Sequence, residues 1–338
     1  MAIVVGTSNG ETLDGSVTDD VMFGQGGDDS LFGDAGDDLI YGGSGSGLGT
    51  GSGNDTLNGG DGNDRLVGED GNDVIIGGNG IDDVIYEAST SAVNVNLLTG
   101  TATDGMGGTD TISEVENIRG SSYGDTLTGD AGSNILRGLA GADTLDGGAG
   151  FDWVYYDRDE IFGGNAGVIV SLLAGTASDG FGNSDTLISI ENVFGTTSDD
   201  WMGGNGLANH LMGHDGNDTL SGGAGADTLD GGADTDWVTY DQDAAQGGAA
   251  GVTVDLLAGT AIDGFGATDS LTGFENVLGT ASADSITGDT LANELWGGGG
   301  NDTLLGGDGD DTRNGGWGGD DLNGGNGIDT VTYEGSGG

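Results

Sequence analysis

Gly24-Gln-Gly-Gly-Asp-Asp-Ser-Leu-Phe32 runs without a gap into Gly33-Asp-Ala-Gly-Asp-Asp-Leu-Ile-Tyr41, and Gly59-Gly-Asp-Gly-Asn-Asp-Arg-Leu-Val67 repeats the pattern. The unit is nine residues long, with glycine at positions 1, often 2, and 4, aspartate at 6 and an aliphatic residue at 8. Working outward, the same frame starts at 6, 15, 24, 33, 42, 50, 59, 68 and 77, then at 120, 129, 138 and 147, then at 195, 204, 213, 222 and 231, and finally at 279, 288, 297, 306, 315 and 324. Of these 24 units, 19 carry aspartate at position 6, three carry asparagine (Asn134, Asn209, Asn293), and Glu11 and Gly47 fill the other two. Glycine richness alone, with 79 glycines in 338 residues, would suggest disorder. A period held in frame over 24 units specifies positions, which composition cannot do.

The composition removes most other functions. There are 58 acidic residues against five basic ones, all arginine, and the formal charge is -53. Such a chain has no positive surface for nucleic acid or anionic lipid. With no cysteine there is no disulfide, thiol nucleophile or thiolate zinc site. No apolar run approaches the roughly 20 residues that span a bilayer, so no direct membrane insertion is expected. The opening Met1-Ala-Ile-Val-Val5 lacks the basic flank and long apolar core of a cleaved signal peptide.

A longer period joins the four runs. Val93-Asn-Val-Asn-Leu-Leu98, Val168-Ile-Val-Ser-Leu-Leu173 and Val252-Thr-Val-Asp-Leu-Leu257 are each followed by Gly-Thr-Ala, and then by Glu116-Asn-Ile, Glu191-Asn-Val or Glu275-Asn-Val. Tyr86, Tyr156, Tyr240 and Tyr333 close the runs. Length varies mostly in whole nonapeptides, as expected of a stack to which rungs can be added.

Positions 1 to 6 read as a turn, since glycine there supplies the positive φ a tight turn needs. Positions 7 to 9 read as a short strand with one inward side chain. Two such strands wound into an 18-residue coil place Leu31, Leu57 and Leu66 inside and run parallel ladders along the axis. The absence of proline agrees, because every strand needs its N–H for the ladder. Stacking then brings aspartates 18 apart, such as Asp20 and Asp38 or Asp200 and Asp218, to adjoining rungs about 4.8 Å apart. Two like charges at that distance repel by about 1 kcal/mol even in water, which accumulates to the order of 10 kcal/mol, comparable to the stability of a whole domain. A divalent ion between turns removes the conflict. Oxygen-only ligands select a hard cation, and calcium accepts six to eight oxygens in flexible geometry.

The motif resembles the RTX, or hemolysin-type, calcium-binding nonapeptide repeat, and the resemblance covers nearly the whole chain. It implies an all-β, right-handed parallel β-roll interrupted by three irregular β linking segments. It also implies Ca²⁺ held between successive turns by backbone carbonyls and the position-6 aspartates. In this chain those are Asp20, Asp29, Asp38, Asp55, Asp64, Asp73, Asp82, Asp125, Asp143, Asp152, Asp200, Asp218, Asp227, Asp236, Asp284, Asp302, Asp311, Asp320 and Asp329. The expected organisation is a first roll at 6–86, a second at 120–156, a third at 195–240 and a fourth at 279–333, with linking segments at 87–119, 157–194 and 241–278. Residues 334–338 are the truncated start of another. The linking segments are expected to continue the coil as longer, metal-poor rungs; small β caps between separate rolls are the alternative. The resemblance implies type I secretion to the extracellular space or bacterial cell surface. The expected function is a non-catalytic structural or adhesive scaffold, with calcium and a cell-surface glycan or matrix as partners. The alternative is the calcium-dependent folding and secretion domain of an exoenzyme whose catalytic domain lies outside this chain.

Several residues depart from the pattern. The eight-residue unit at 42 has Gly47 for aspartate and Gly49 for the core side chain, so it is expected to be a weak rung and to spoil sites shared with Asp29 and Asp64. Arg313 stands where unit 306 needs an aliphatic residue. The three asparagines are expected to mark weaker calcium sites, since lower ligand charge lowers affinity. His210 and His214 have helical zinc spacing but no helix and no third ligand nearby, and Gly6-Thr-Ser8-Asn-Gly10 matches a nucleophile elbow by the chance that glycine richness predicts. Trp153, Trp201 and Trp237 at position 7 face away from the core, toward neighbouring rungs or a linking segment rather than a sugar. Outward Thr126, Thr144, Thr219, Thr228 and Thr303 are not preceded by Thr-x-Asn turns, which argues against an ice-binding ladder.

Overall fold

The computed structural model describes residues 1–45 and 53–333. Strands of three to six residues make up almost all of its regular structure; the exceptions are two single-turn helices, Asp159–Phe162 and Asp243–Gln246. The chain forms two compact units, Met1–Phe162 with Phe181–Ile190, and Gly163–Gly180 with Glu191–Gly338. Each is a β-roll with two ladders, and successive nonapeptides alternate between them.

In the first unit one ladder is parallel throughout: Ile3–Val5, Val21–Phe23, Leu39–Tyr41, Arg65–Val67, Asp83–Ile85, Asn117–Arg119, Ile135–Arg137 and Trp153–Tyr155. The facing ladder begins Thr12–Ser16, Ser30–Asp34, Thr56–Asp61 and Val74–Asn79. Only position 8 points inward, so the core is a double column: Met22, Ile40, Leu66, Val84, Ile118, Leu136 and Val154 against Leu31, Leu57, Ile75, Leu127 and Leu145, all fully buried. Each such side chain contributes about 1.5–3 kcal/mol, and no rung has more than one per strand. Stability therefore depends on the stack.

On either side of the unit at 42 the ladders change step. Ser30 pairs with Thr56 and Leu39 with Arg65, a step of 26 residues where neighbouring rungs step by 18. Both ladders pass over one eight-residue unit, and Asp29 and Asp38 meet Asp55 and Asp64 instead of losing a partner. The unit carries glycine at both position 6 and position 8, so its sequence brings neither the aspartate nor the inward aliphatic residue of a regular rung. Gly47 and Gly49 themselves lie outside the described residues, as do residues 334–338.

The linking segment 87–119 joins both ladders. Asn94–Asn96, Thr101–Thr103 and Thr109–Ser113 form an antiparallel meander. Its last strand lies parallel on Val74–Asn79 and its first on Thr126–Thr128. The opposite ladder receives only Asn117–Arg119. In the second unit the meander Thr253–Asp255, Thr260–Ile262 and Thr268–Thr272 sits likewise between Thr228–Ala233 and Ser285–Thr287, while Asn276–Leu278 fills the facing ladder. Within this unit Ile169–Ser171 and Thr176–Ser178 lie on the ladder of Trp201–Gly203, whereas the later meander lies on the other. Five nonapeptides separate the two, and each switches ladders. In the first unit four nonapeptides separate the meander from Ser184–Ile188, which returns to the same ladder on Thr144–Asp146.

Candidate metal centres

Position 6 follows the turn and precedes the strand, so its side chain is carried under the next turn of the coil. All the repeat aspartates are at most 4% exposed except Asp320 and Asp329, which are half-buried in the last rungs. They form a chain of bonds along the stack. The backbone N–H of Asp20 donates to Asp38 Oδ1 at 2.7 Å, Asp55 to Asp73 at 2.8 Å, Asp64 to Asp82 at 2.7 Å, Asp200 to Asp218 at 2.7 Å, Asp218 to Asp236 at 2.7 Å and Asp302 to Asp320 at 3.0 Å. One carboxylate oxygen is thereby committed to holding the preceding rung in register.

The other oxygen is not. Oδ2 of Asp29, Asp38, Asp64, Asp73, Asp82, Asp143, Asp152, Asp218, Asp227, Asp236, Asp302 and Asp311 is buried without any hydrogen-bond donor. An unsatisfied buried carboxylate oxygen is costly, and twelve of them along the stack call for a cation. The position-1 glycines show what stands beside it. A Cβ on Gly213 would overlap both Asp218 Oδ2 and the Gly231 carbonyl, and one on Gly306 would overlap Asp311 Oδ2 and the Gly324 carbonyl. A carboxylate oxygen and a backbone carbonyl from the next turn thus converge over a position only glycine can occupy. Among the described residues no three acidic or imidazole groups converge on one point, so an ion here takes carbonyl oxygens alongside its carboxylates. An oxygen-only set rich in carbonyls fits calcium.

Burial pushes the carboxyls upward, most for Asp73 and Asp218, which reach about 8, while Asp38, Asp55, Asp82, Asp227, Asp236 and Asp302 reach about 6. A carboxyl more basic in the folded than in the unfolded chain favours folding when protonated. Its contribution is complete below the unfolded value of 3.8 and is lost as pH rises through 6 to 8. In chelator, circular dichroism is therefore expected to show β structure returning as pH falls from 8 toward 4. With calcium present the same acidification displaces the ion, because the ligands must be deprotonated. Metal-free chain that stays unfolded, or loses β signal, on acidification would contradict this.

Not every repeat aspartate is left open. The first of each later run is saturated by the protein: Asp200 accepts N–H bonds from Thr196 and Val168 at 2.7 Å and the Thr196 hydroxyl at 2.9 Å. Asp125 and Asp284 do the same with Ser121 and Val93, and with Thr280 and Val252. Asp20 takes the Ser16 N–H at 2.7 Å.

The asparagine side chains make hydrogen bonds of their own within the turns. Asn209 Oδ1 accepts the Asn205 N–H at 2.8 Å, and its Nδ2 donates to the Glu191 carbonyl at 2.8 Å. Asn134 and Asn293 repeat this with the Glu116 and Glu275 carbonyls. The amide turns a donor toward a carbonyl that a cation would need, so it closes the turn by itself. Asn209→Asp is expected to remove that donor and add one calcium per chain, measured by titration calorimetry; unchanged stoichiometry would show that the turn cannot hold an ion.

The linking segments contain acidic residues that the repeat frame did not single out. Asp73 N–H donates to Asp110 Oδ1 at 3.0 Å, Asp143 to Asp185 and Asp227 to Asp269, each at 3.0 Å. Here a tyrosine hydroxyl serves the second oxygen: Tyr86 to Asp110 at 2.9 Å, Tyr156 to Asp185 at 3.3 Å and Tyr240 to Asp269 at 3.4 Å. Glu116 and Glu275 accept from Asp82 and Asp236 at 2.9 Å. The signal was present, since Thr-Asp110-Thr-Ile, Ser-Asp185-Thr-Leu and Thr-Asp269-Ser-Leu copy positions 5 to 8 of the repeat. Asp104 and Asp263, wholly buried six residues earlier, bind their own turns through Oδ1.

The remaining candidates occupy turns and outer faces. His214 is a turn residue with φ of 88° against the Phe194 ring. Ser8 is exposed in the first turn. Trp237 packs edge-on against Trp296, and Trp201 lies beside Gln242 and Gln246 of a linking segment.

Comparison with known families agrees with this geometry. The RTX calcium-binding nonapeptide repeat family matches residues 6–48, 49–84, 119–154, 203–238, 278–312 and 296–331, more than half of the chain. The chain belongs to that family and is a calcium-binding repeat protein. No curated protein matches it. No helix among the described residues is long and apolar enough to cross a membrane.

Proposed function

We propose that this chain is a non-catalytic, calcium-dependent β-roll array serving as a structural or adhesive scaffold of a secreted or surface protein. The observation that carries the reading is the set of twelve buried, donorless Oδ2 atoms along the stack, eight of them (on Asp29, Asp38, Asp64, Asp82, Asp152, Asp218, Asp236 and Asp311) beside a backbone carbonyl. The ions are proposed to sit with these aspartates, Asp29, Asp38, Asp64, Asp73, Asp82, Asp143, Asp152, Asp218, Asp227, Asp236, Asp302 and Asp311. Sites of this kind favour an extracellular setting, where calcium reaches the 10⁻⁴–10⁻³ M at which extracellular modules bind it. Inside a cell, where sensors respond at about 10⁻⁷–10⁻⁵ M, the same charges hold the coil open. Beads carrying the chain are expected to adhere to glycan- or matrix-coated surfaces in calcium and to release in chelator. Refolding with calcium but no adhesion would favour the alternative, a folding and export module for an exoenzyme.

A further inference from the structure

In a chain with five arginines, three line one cavity. On the outer face of the first unit, Arg65, Arg119 and Arg158 surround a space of about 510 Å³ together with Tyr41, Glu87 and Phe162, over a floor of Val67 and Ile85. The position-7 and position-9 residues of successive rungs supply most of it, through pairing of Leu39–Tyr41 with Arg65–Val67 and of Arg65–Val67 with Asp83–Ile85, and then of Asp83–Ile85 with Asn117–Arg119. The facing ladder of the same unit presents Thr12, Ser30, Thr56, Val74, Thr111, Thr126 and Thr144 at corresponding positions.

We propose that this cavity binds a sugar acid, a pyranose ring bearing one carboxylate. Arg119 is 6% exposed and bridges Asp83 at 3.0 Å and Glu87 at 2.9 Å, yet its Nε is buried with no acceptor. Arg158 Nε lies 3.3 Å from the same Glu87 oxygen, Oε1. That leaves Glu87 Oε2 without a partner among the described residues, an acceptor for ligand hydroxyls. Arg65 has no ion pair or hydrogen bond from its guanidinium among the described residues, although the chain carries 58 acidic groups. A free guanidinium calls for a carboxylate, which it binds in a planar fork. Apolar Val67 and Ile85 and the Tyr41 and Phe162 rings call for the C–H face of a ring. The volume lies within the range of small-molecule sites, about 300–1,000 Å³, too large for a bare inorganic anion. One free guanidinium in a chain of charge -53 also disfavours polyphosphates. The proposal rests on the calcium-dependent fold proposed above.

The experiment is titration calorimetry of the full calcium-loaded chain with D-glucuronate and with D-glucose. Glucuronate is expected to bind saturably at one site and glucose at least about tenfold more weakly. Arg65→Gln is expected to reduce glucuronate to the level of glucose, and Arg65→Lys to recover part of the difference. Arg65 is exposed and unpaired among the described residues, so the variants are expected to fold, which the calcium-induced dichroism of the same samples verifies. Absence of saturable glucuronate binding by the folded chain, equal affinity for both sugars, or indifference to Arg65→Gln overturns this inference alone. A chain that gains no β structure with calcium overturns the underlying reading as well.

Discussion

Removing calcium is expected to unfold the array, with far-UV dichroism passing from β-rich to largely disordered in chelator and returning cooperatively on titration with calcium. The apo fold has little to hold it. Each rung buries one apolar side chain per strand, while glycine-rich turns lose the most backbone entropy on ordering. Against that small surplus stand the donorless buried oxygens of twelve aspartates. At a free calcium concentration a hundred times Kd, each occupied site contributes about 2.7 kcal/mol, so about five sites match the net stability of an ordinary domain. Cooperativity follows because each carboxylate that binds an ion also bonds the preceding rung through Oδ1. Identical β signal with and without chelator would refute this account.

Arg313→Leu is expected to stabilise the last rungs, against the usual direction of core substitutions. Arg313 occupies position 8, between Leu295 and Val331 in its ladder, and is 3% exposed. The rung forms nonetheless, but Nε and Nη1 of the guanidinium are buried without acceptors. A buried, incompletely paired charge costs several kcal/mol, whereas leucine at the same place would extend the column of Leu295 and Leu304. The gain is expected to be on the order of 3 kcal/mol. Hydrogen exchange of the amides between 312 and 332 in calcium should slow by about a hundredfold. Unchanged or faster exchange would mean that the guanidinium is satisfied by a partner such as Asp311, whose carboxyl it already helps to hold down against the effect of burial.

Much of the fold is a local property and was legible as such. Neighbours within a regular run are always 18 residues apart, so glycine at 1 and 4, aspartate at 6 and an aliphatic residue at 8 determine turn, ligand and core without reference to distant chain. The alternation of ladders is equally local: counting nonapeptides, four or five, decides on which ladder of a unit the next meander lies. The resemblance of Asp110, Asp185 and Asp269 to position 6 was also in the sequence, although the interruption of the frame concealed it.

What the sequence did not determine is which rung meets which across an irregularity. The step from Asp29 to Asp55 over the unit at 42 depends on the ladder closing around a segment with glycine at both position 6 and position 8. Laying the last strand of the meander on the preceding rung, with Thr111 opposite Val74, depends on two chain reversals between Asn96 and Thr109. Only those reversals bring Asp110 under Asp73 and within reach of the Tyr86 hydroxyl. The closing of the asparagine turns likewise needs the Glu116, Glu191 and Glu275 carbonyls 18 residues upstream, in linking segments that carry no repeat frame. Composition and period dictate one rung and its successor, because those contacts are short-range and identical. Partners separated by 24 to 42 residues of irregular chain are selected only when core, ladder and carboxylate are satisfied together, and that selection belongs to the tertiary structure.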